Sequence, residues 1–239
     1  MKKFLIALLF APLLAMASSG KLHLDTWPGS VSDKAALQNG AKLFVNYCLN
    51  CHGASYLRYQ NLMDLGLTEQ QVMDNLMFTS DKIGALMTVA ARPDEQKKWF
   101  GATPPDLTII ARARGELGNA GAGADWLYTY LRTFYQDEKR PTGWNNVAFD
   151  AVGMPHVLWD LQGTQVMNPE THKLELAVPG KMSPKDYDQA ISDLVGFMVW
   201  MGEPQQEFRR LLGVYVLAFL CLLFVVAYAL KKEYWKDIH

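Results

Sequence analysis

Cys48-Leu49-Asn50-Cys51-His52 places two thiols three positions apart and an imidazole directly after the second. That pattern is the attachment site of a c-type haem. The two sulfurs take thioether bonds from the haem vinyls, and His52 becomes the proximal iron ligand. Cys-x-x-Cys also occurs as a redox dithiol, but those lie near a βαβ pattern, and none is visible here. Half of a zinc site would need a second cysteine pair, and the chain has only three cysteines. The third, Cys221, lies inside a long apolar run and reads as a small hydrophobe. One such motif predicts one haem.

An iron held by one His needs a partner on its other face. Methionine raises the potential and suits electron transfer, whereas an open position suits ligand binding or peroxide chemistry. Of eleven methionines, two fall in the leader and most others sit in helical patterns as packing residues. Met154 differs. It stands between Gly153 and Pro155, where the backbone is non-helical and constrained. His156, two residues on, is the rival, and its ligation would lower the potential. A haem also brings two propionates, for which Arg is the best bidentate partner. Arg112 and Arg114 are candidates. Two apart on a helix they point to different faces, so at most one meets the haem.

These groups must be carried by a chain of 239 residues, half of them apolar, with net charge −1. The near-neutral balance makes no case for nucleic acid. Lys2 and Lys3, an apolar stretch from Phe4 to Leu14 and the small-x-small site Ala15-Met16-Ala17 read as a secretory signal peptide cut near Ala17; the alternative is an uncleaved anchor. At the other end, residues 211–230 form an uninterrupted apolar run long enough to span a bilayer as a helix. Lys231, Lys232 and Lys236 follow it, with Tyr234 and Trp235 suited to the interface. Export would leave the main body outside and this tail inside.

Between these ends the pattern predicts a mainly α domain with a small hairpin. Ser32 could cap a helix from Asp33 to Tyr47 that leads into the haem motif on an apolar stripe. Residues 53–67 read as a connector. Thr68 to Gln71 has the form of a capping box and opens a helix to about Met77. Residues 79–101 read as a surface excursion. Pro104-Pro105-Asp106 should punctuate the chain, with Asp106 capping a helix over Leu107–Arg114. An aromatic-rich helix is predicted over Trp126–Tyr135, then a loop over 136–150. His156–Leu161 and Lys173–Val178 alternate with period two and predict the hairpin. Ser183, Pro184 and Asp186 open a helix over Lys185–Met201.

The setting YCLNCHGASYLRYQNL, the segment PPDLTIIARARG, the GMP around Met154 and a single C-terminal span followed by lysines together resemble the cytochrome c1 family, in its bacterial form. That family supplies the haem subunit of the quinol–cytochrome c oxidoreductase (bc1) complex. The likeness runs through nearly the whole mature chain. It implies a covalent haem c on Cys48 and Cys51, with His52 proximal, Met154 distal and Arg114 meeting a propionate. It also implies electron transfer from the Rieske iron–sulfur protein to a cytochrome c, beside cytochrome b, without substrate-bond chemistry of the chain's own. Two features depart from the family. Lys98-Trp99-Phe100-Gly101 stands where an Asn-rich stretch is usual, and the long acidic stretches of mitochondrial members are missing, so docking of cytochrome c is assigned to no residue.

The expected layout is a signal peptide over 1–17, a periplasmic haem domain over 18–204, and an inner-membrane anchor over 205–239 with a cytoplasmic C-terminus. The rival functions are a membrane-tethered shuttle to an oxidase, or a haem peroxidase or sensor.

Overall fold

Asp33 starts the first helix. Its carboxylate accepts the amides of Ala35 and Ala36 at 3.1 Å each, so the cap falls one residue later than Ser32 and α1 runs Lys34–Leu43. The structure, a computed structural model, describes residues 23–115 and 120–237. The leader expected over 1–17 lies outside the described residues. After α1, the helix widens into a π-helical turn, Phe44–Cys48, instead of continuing as α-helix to Tyr47. There follow β1 (Ala54–Arg58), a 3-10 helix (Tyr59–Leu65), α2 (Glu69–Leu76), β2 (Leu86–Met87) and α3 (Pro93–Phe100). Next come α4 (Ile110–Ala113), α5 (Ala120–Arg132), β3 (Phe134–Gln136), β4 (Trp144–Asn146) and α6 (Trp159–Gln162). The chain closes with β5 (Gly163–Met167), β6 (Leu174–Pro179), α7 (Pro184–Gly202) and α8 (Gln206–Trp235).

The described strands form three two-stranded antiparallel pairs, β1–β2, β3–β4 and β5–β6. The fold is mainly α as expected, but the details shift. The connector over 53–67 and the excursion over 79–101 are structured: Ala54 pairs with Met87, and both are fully buried. The helix expected to reach Tyr135 stops at Arg132, and Phe134–Gln136 pairs instead with Trp144–Asn146 from the expected loop, so that Phe134 faces Asn146. His156–Leu161 is not a strand. It is a turn into α6 that buries His156, Leu158 and Leu161, and the period-two pattern there was a chance match to spacings of two and three. The first hairpin strand begins at Gly163 instead, whose φ of +93° suits glycine.

α1 and α7 cross at the centre. Gly40 lets them meet: a methyl there would overlap the Asp193 carbonyl. Beside the crossing, Phe44 and Phe197 pack with ring centroids 5.4 Å apart. Buried Asp193 is satisfied by Asn39 Nδ2 at 2.6 Å and Gln189 Nε2 at 2.8 Å, as a charge removed from water requires. Gly123 plays the same part between α5 and α4, because a side chain there would strike the Ala111 carbonyl. The N-terminal segment is stitched across this bundle. The Trp27 amide donates to Asp125 at 2.7 Å and its indole to the Ser192 carbonyl at 3.0 Å, while Asp25 pairs with Arg132 at 2.7 Å.

α7 opens as its caps predict, with Ser183 Oγ accepting the Asp186 amide at 3.2 Å and Pro184 in the first turn. Three residues, Glu203-Pro204-Gln205, separate it from α8. Glu203 is paired with both Arg112 of α4 and Arg209 of α8, so this short join is braced from two sides. α8 is 30 residues long, and its most apolar 18-residue stretch has mean hydropathy 2.7. It is long and apolar enough to cross a membrane and contains the expected 211–230 span.

Candidate functional site

The π-helical turn delivers the Cys-x-x-Cys-His segment. The amide of Leu49 reaches back to Phe44 at 2.9 Å, and that of His52 to Cys48 at 2.8 Å. The His52–Cys48 bond spans four residues, so the motif closes one helical turn of its own just after the π-helical bulge, with Cys48 buried and Cys51 and His52 half-buried. All three described cysteines are free thiols. Burial pushes the Cys48 thiol up to about 12, with Cys51 adding to the effect, and burial raises Cys51 too.

The Pro-Pro-Asp segment bolts this motif in place. His52 Nδ1 lies 2.7 Å from the Pro105 carbonyl, and an acceptor that cannot donate requires the proton on Nδ1. Nε2 is then the lone-pair nitrogen. The amide of Leu107 donates to the Gly53 carbonyl at 2.8 Å, and that of Ser55 to Asp106 at 2.7 Å. Burial lowers the His52 pKa, against the Pro105 bond and the Asp106 charge, which favours the neutral ring that a metal needs.

Asp106 also accepts from the Thr108 amide at 2.9 Å and its hydroxyl at 2.5 Å. Burial would raise its carboxyl, but these hydrogen bonds and those from Ser55 hold it below the usual range. The carboxylate closes a turn on Thr108 and reaches across to Ser55, and the helix expected from Leu107 begins only at Ile110. Asp106→Ala should cost roughly 1–3 kcal/mol, the usual penalty for stranding such donors. Asp106→Asn, which keeps one acceptor oxygen, should recover much of it. Chemical-denaturation midpoints of the two variants check this.

A second cluster forms around Met154. Two buried asparagines of β4 wind its loop: Asn145 Oδ1 accepts the Ala151 amide at 3.0 Å, and Asn146 Oδ1 accepts those of Ala148 and Phe149 at 2.8 and 3.1 Å. Ala151 sits at φ +57°, an uncommon conformation for a side-chain-bearing residue and one that this network holds. Met154 is half-buried, and its sulfur accepts from the Tyr130 hydroxyl at 3.4 Å. Burial pushes the Tyr130 phenol up to about 12, so it stays protonated and donating. Tyr130 stacks on Trp126 at 4.8 Å, and the guanidinium of Arg114 lies 4.3 Å from the Trp126 ring centroid.

Arg114 therefore belongs to the Met154 cluster, while Arg112 is turned to Glu203. His156 is 2% exposed, stacked on Phe134 at 4.9 Å and edge-on to Trp144 at 5.1 Å. Burial pushes its imidazole down to about 4. The two clusters are joined through the chain, since α4 lies between the Pro105–Thr108 bolt and Arg114, which caps its C-terminal end.

Sequence reasoning missed Gln96, Asn145, Asn146 and Tyr130. Gln96, 2% exposed, donates to the Cys51 carbonyl at 2.9 Å from a helix that looks solvent-facing. The Asp106-x-Thr108 spacing was the signal for the turn that was overlooked.

The donor set fits a c-type haem. It comprises two unpaired thiols, an imidazole whose Nδ1 proton is tied to a backbone carbonyl as in most metal-ligating histidines, and a neutral thioether with a lone pair to spare. Among the described residues, no group of three or more His, Cys, Asp or Glu is placed to hold a bare metal ion.

Comparison with known proteins agrees. The sequence profile of the Cytochrome C1 family matches residues 26–238. The chain is 50% identical to the "Ammonia monooxygenase gamma subunit" of Nitrosomonas europaea over 238 residues, covering all of this chain and 98% of that protein. It is 46% identical to the cytochrome c1 of Allochromatium vinosum over 252 residues, covering both in full. It is 28% identical to the cytochrome b/c1 of Bradyrhizobium diazoefficiens over 250 residues, covering 87% of this chain and 34% of that longer protein.

Proposed function

The chain belongs to the cytochrome c1 family and is a haem c electron-transfer subunit; from that premise we propose how its residues hold the haem, which partners they serve and how the chain sits in the membrane. Haem c supplies a ferric/ferrous couple when bound, so the protein's task is to fix, shield and tune it. Cys48 and Cys51 would hold it covalently. His52 would offer Nε2, with its ring orientation set by the Pro105 carbonyl. Met154 would offer its sulfur from the loop wound by Asn145 and Asn146. Arg114 would pair with a propionate while resting on Trp126. The observation that carries this reading is the His52–Pro105 bond inside an unpaired Cys-x-x-Cys-His segment.

The partners we infer are cytochrome b and the Rieske iron–sulfur protein of a bc1 complex, with a cytochrome c as acceptor. The Bradyrhizobium relative supports the first, since its name joins b and c1 in one protein. We place the haem domain on the periplasmic side of the inner membrane and the C-terminus in the cytoplasm, because the leader reads as an export signal and lysines follow the span. A tethered shuttle would need slack between domain and anchor, and the three-residue join braced by Glu203 argues for a fixed position.

Extraction of native membranes in mild detergent, with this chain tagged, tests the assignment. A b-type cytochrome and an iron–sulfur protein should accompany it. Recovery of a lone haem protein, or of ammonia monooxygenase subunits as the Nitrosomonas relative's name would suggest, would overturn the bc1 reading.

A further inference from the structure

We propose that Tyr130 is a positioning residue that sets the reduction potential through a hydrogen bond to the Met154 sulfur; this rests on Met154 being the distal ligand. The hydroxyl lies 3.4 Å from Sδ, within reach of an O–H···S bond. The ring has little freedom to leave. One face stacks on Trp126 at 4.8 Å and 12°, and Phe134 meets it edge-on at 5.0 Å. The residue's backbone is clamped as well, because buried Asn146 donates to the Tyr130 carbonyl at 2.7 Å. Asn146 also winds the loop that ends in Met154, through the Ala148 and Phe149 amides. One side chain thus fixes both ends of the hydroxyl–sulfur contact. Such over-determination is what a group acting through geometry needs.

The direction of the effect follows from the bond. A donor on sulfur withdraws lone-pair density from the iron. Ferric iron depends on that donation more than ferrous iron, so the hydroxyl favours the reduced state. Hydrogen bonds to a ligand are a recognised means of tuning a metal's potential. A second lone pair on the thioether leaves the sulfur free to coordinate while it accepts.

Tyr130→Phe removes the hydroxyl and keeps the ring contacts with Trp126 and Phe134. Full-length holoprotein in detergent is titrated optically against redox mediators, and its ferric near-infrared spectrum is recorded. Wild type should show the near-infrared band of methionine ligation. The variant should keep that band at a shifted position, with the reduction equilibrium constant lowered three- to tenfold, roughly 28–59 mV at 59 mV per tenfold. A purely structural role would lower the melting temperature and leave the potential unmoved. An equilibrium constant unchanged within measurement, with the band intact, overturns the proposal and leaves Met154 as ligand. Absence of the band in wild type overturns the Met154 reading itself.

Discussion

Met154→Leu is expected to abolish the near-infrared band of methionine ligation and lower the reduction potential by on the order of 100 mV or more, about fiftyfold or more in the reduction equilibrium at 59 mV per tenfold. Leucine nearly conserves the volume of methionine, and such swaps usually cost under about 1.5 kcal/mol. Met154 is half-buried and packs at the margin of the core, so the domain should stay folded. The change therefore isolates the sulfur. It also strands the Tyr130 hydroxyl, whose partner is that sulfur, so part of the shift will not be additive with Tyr130→Phe. His156 is badly placed to substitute. To reach an iron it would have to leave the stack on Phe134 and the contact with Trp144. The expected ferric spectrum is accordingly high-spin, not that of two imidazoles. Survival of the band in Met154→Leu, recorded on the purified holoprotein, would remove Met154 from the site.

What could be read from the sequence follows the range of the interactions concerned. The Cys-x-x-Cys-His segment, the capping box at Thr68 and the Ser183–Pro184–Asp186 helix start are local patterns, each settled within five residues, and the structure has both caps where they were expected. The apolar run within the 30-residue α8 is likewise a property of one stretch. The missed features are non-local. β3 and β4 are three residues each, too short for a periodic signal, and exist because Phe134 finds Asn146 across a loop. Gln96 sits among charged neighbours, and only its partner, a carbonyl 45 positions away, marks it as buried structure. Asp106 shows how one side chain can mislead. Its local bond to the Thr108 amide is within reach of a sequence reading, but the second carboxylate oxygen goes to Ser55, 51 positions back, which no local pattern announces. Met154 was legible as a constrained residue, though not as one whose sulfur has a phenol donor, because nothing in the spacing of Tyr130 and Met154 announces a contact.

Replacing both Cys48 and Cys51 with alanine should eliminate covalently held pigment altogether, the largest effect expected of any change in this chain. Alanine is preferred to serine at Cys48, which is 9% exposed among apolar neighbours, because a hydroxyl there would be buried without a partner. Each single variant should keep one thioether, so its haem would still resist extraction after denaturation. Only the double variant should surrender it. The readout separates attachment from ligation, since His52 and Met154 remain in the double variant and would still present nitrogen and sulfur to a haem held without covalent bonds. Fully denatured samples are extracted with acidified acetone, and the colour is followed in the protein pellet. Wild type and both single variants should stay coloured while the double variant turns white. Wild-type protein that loses its colour in that step would show that these two thiols do not carry the group, whatever coordinates the iron.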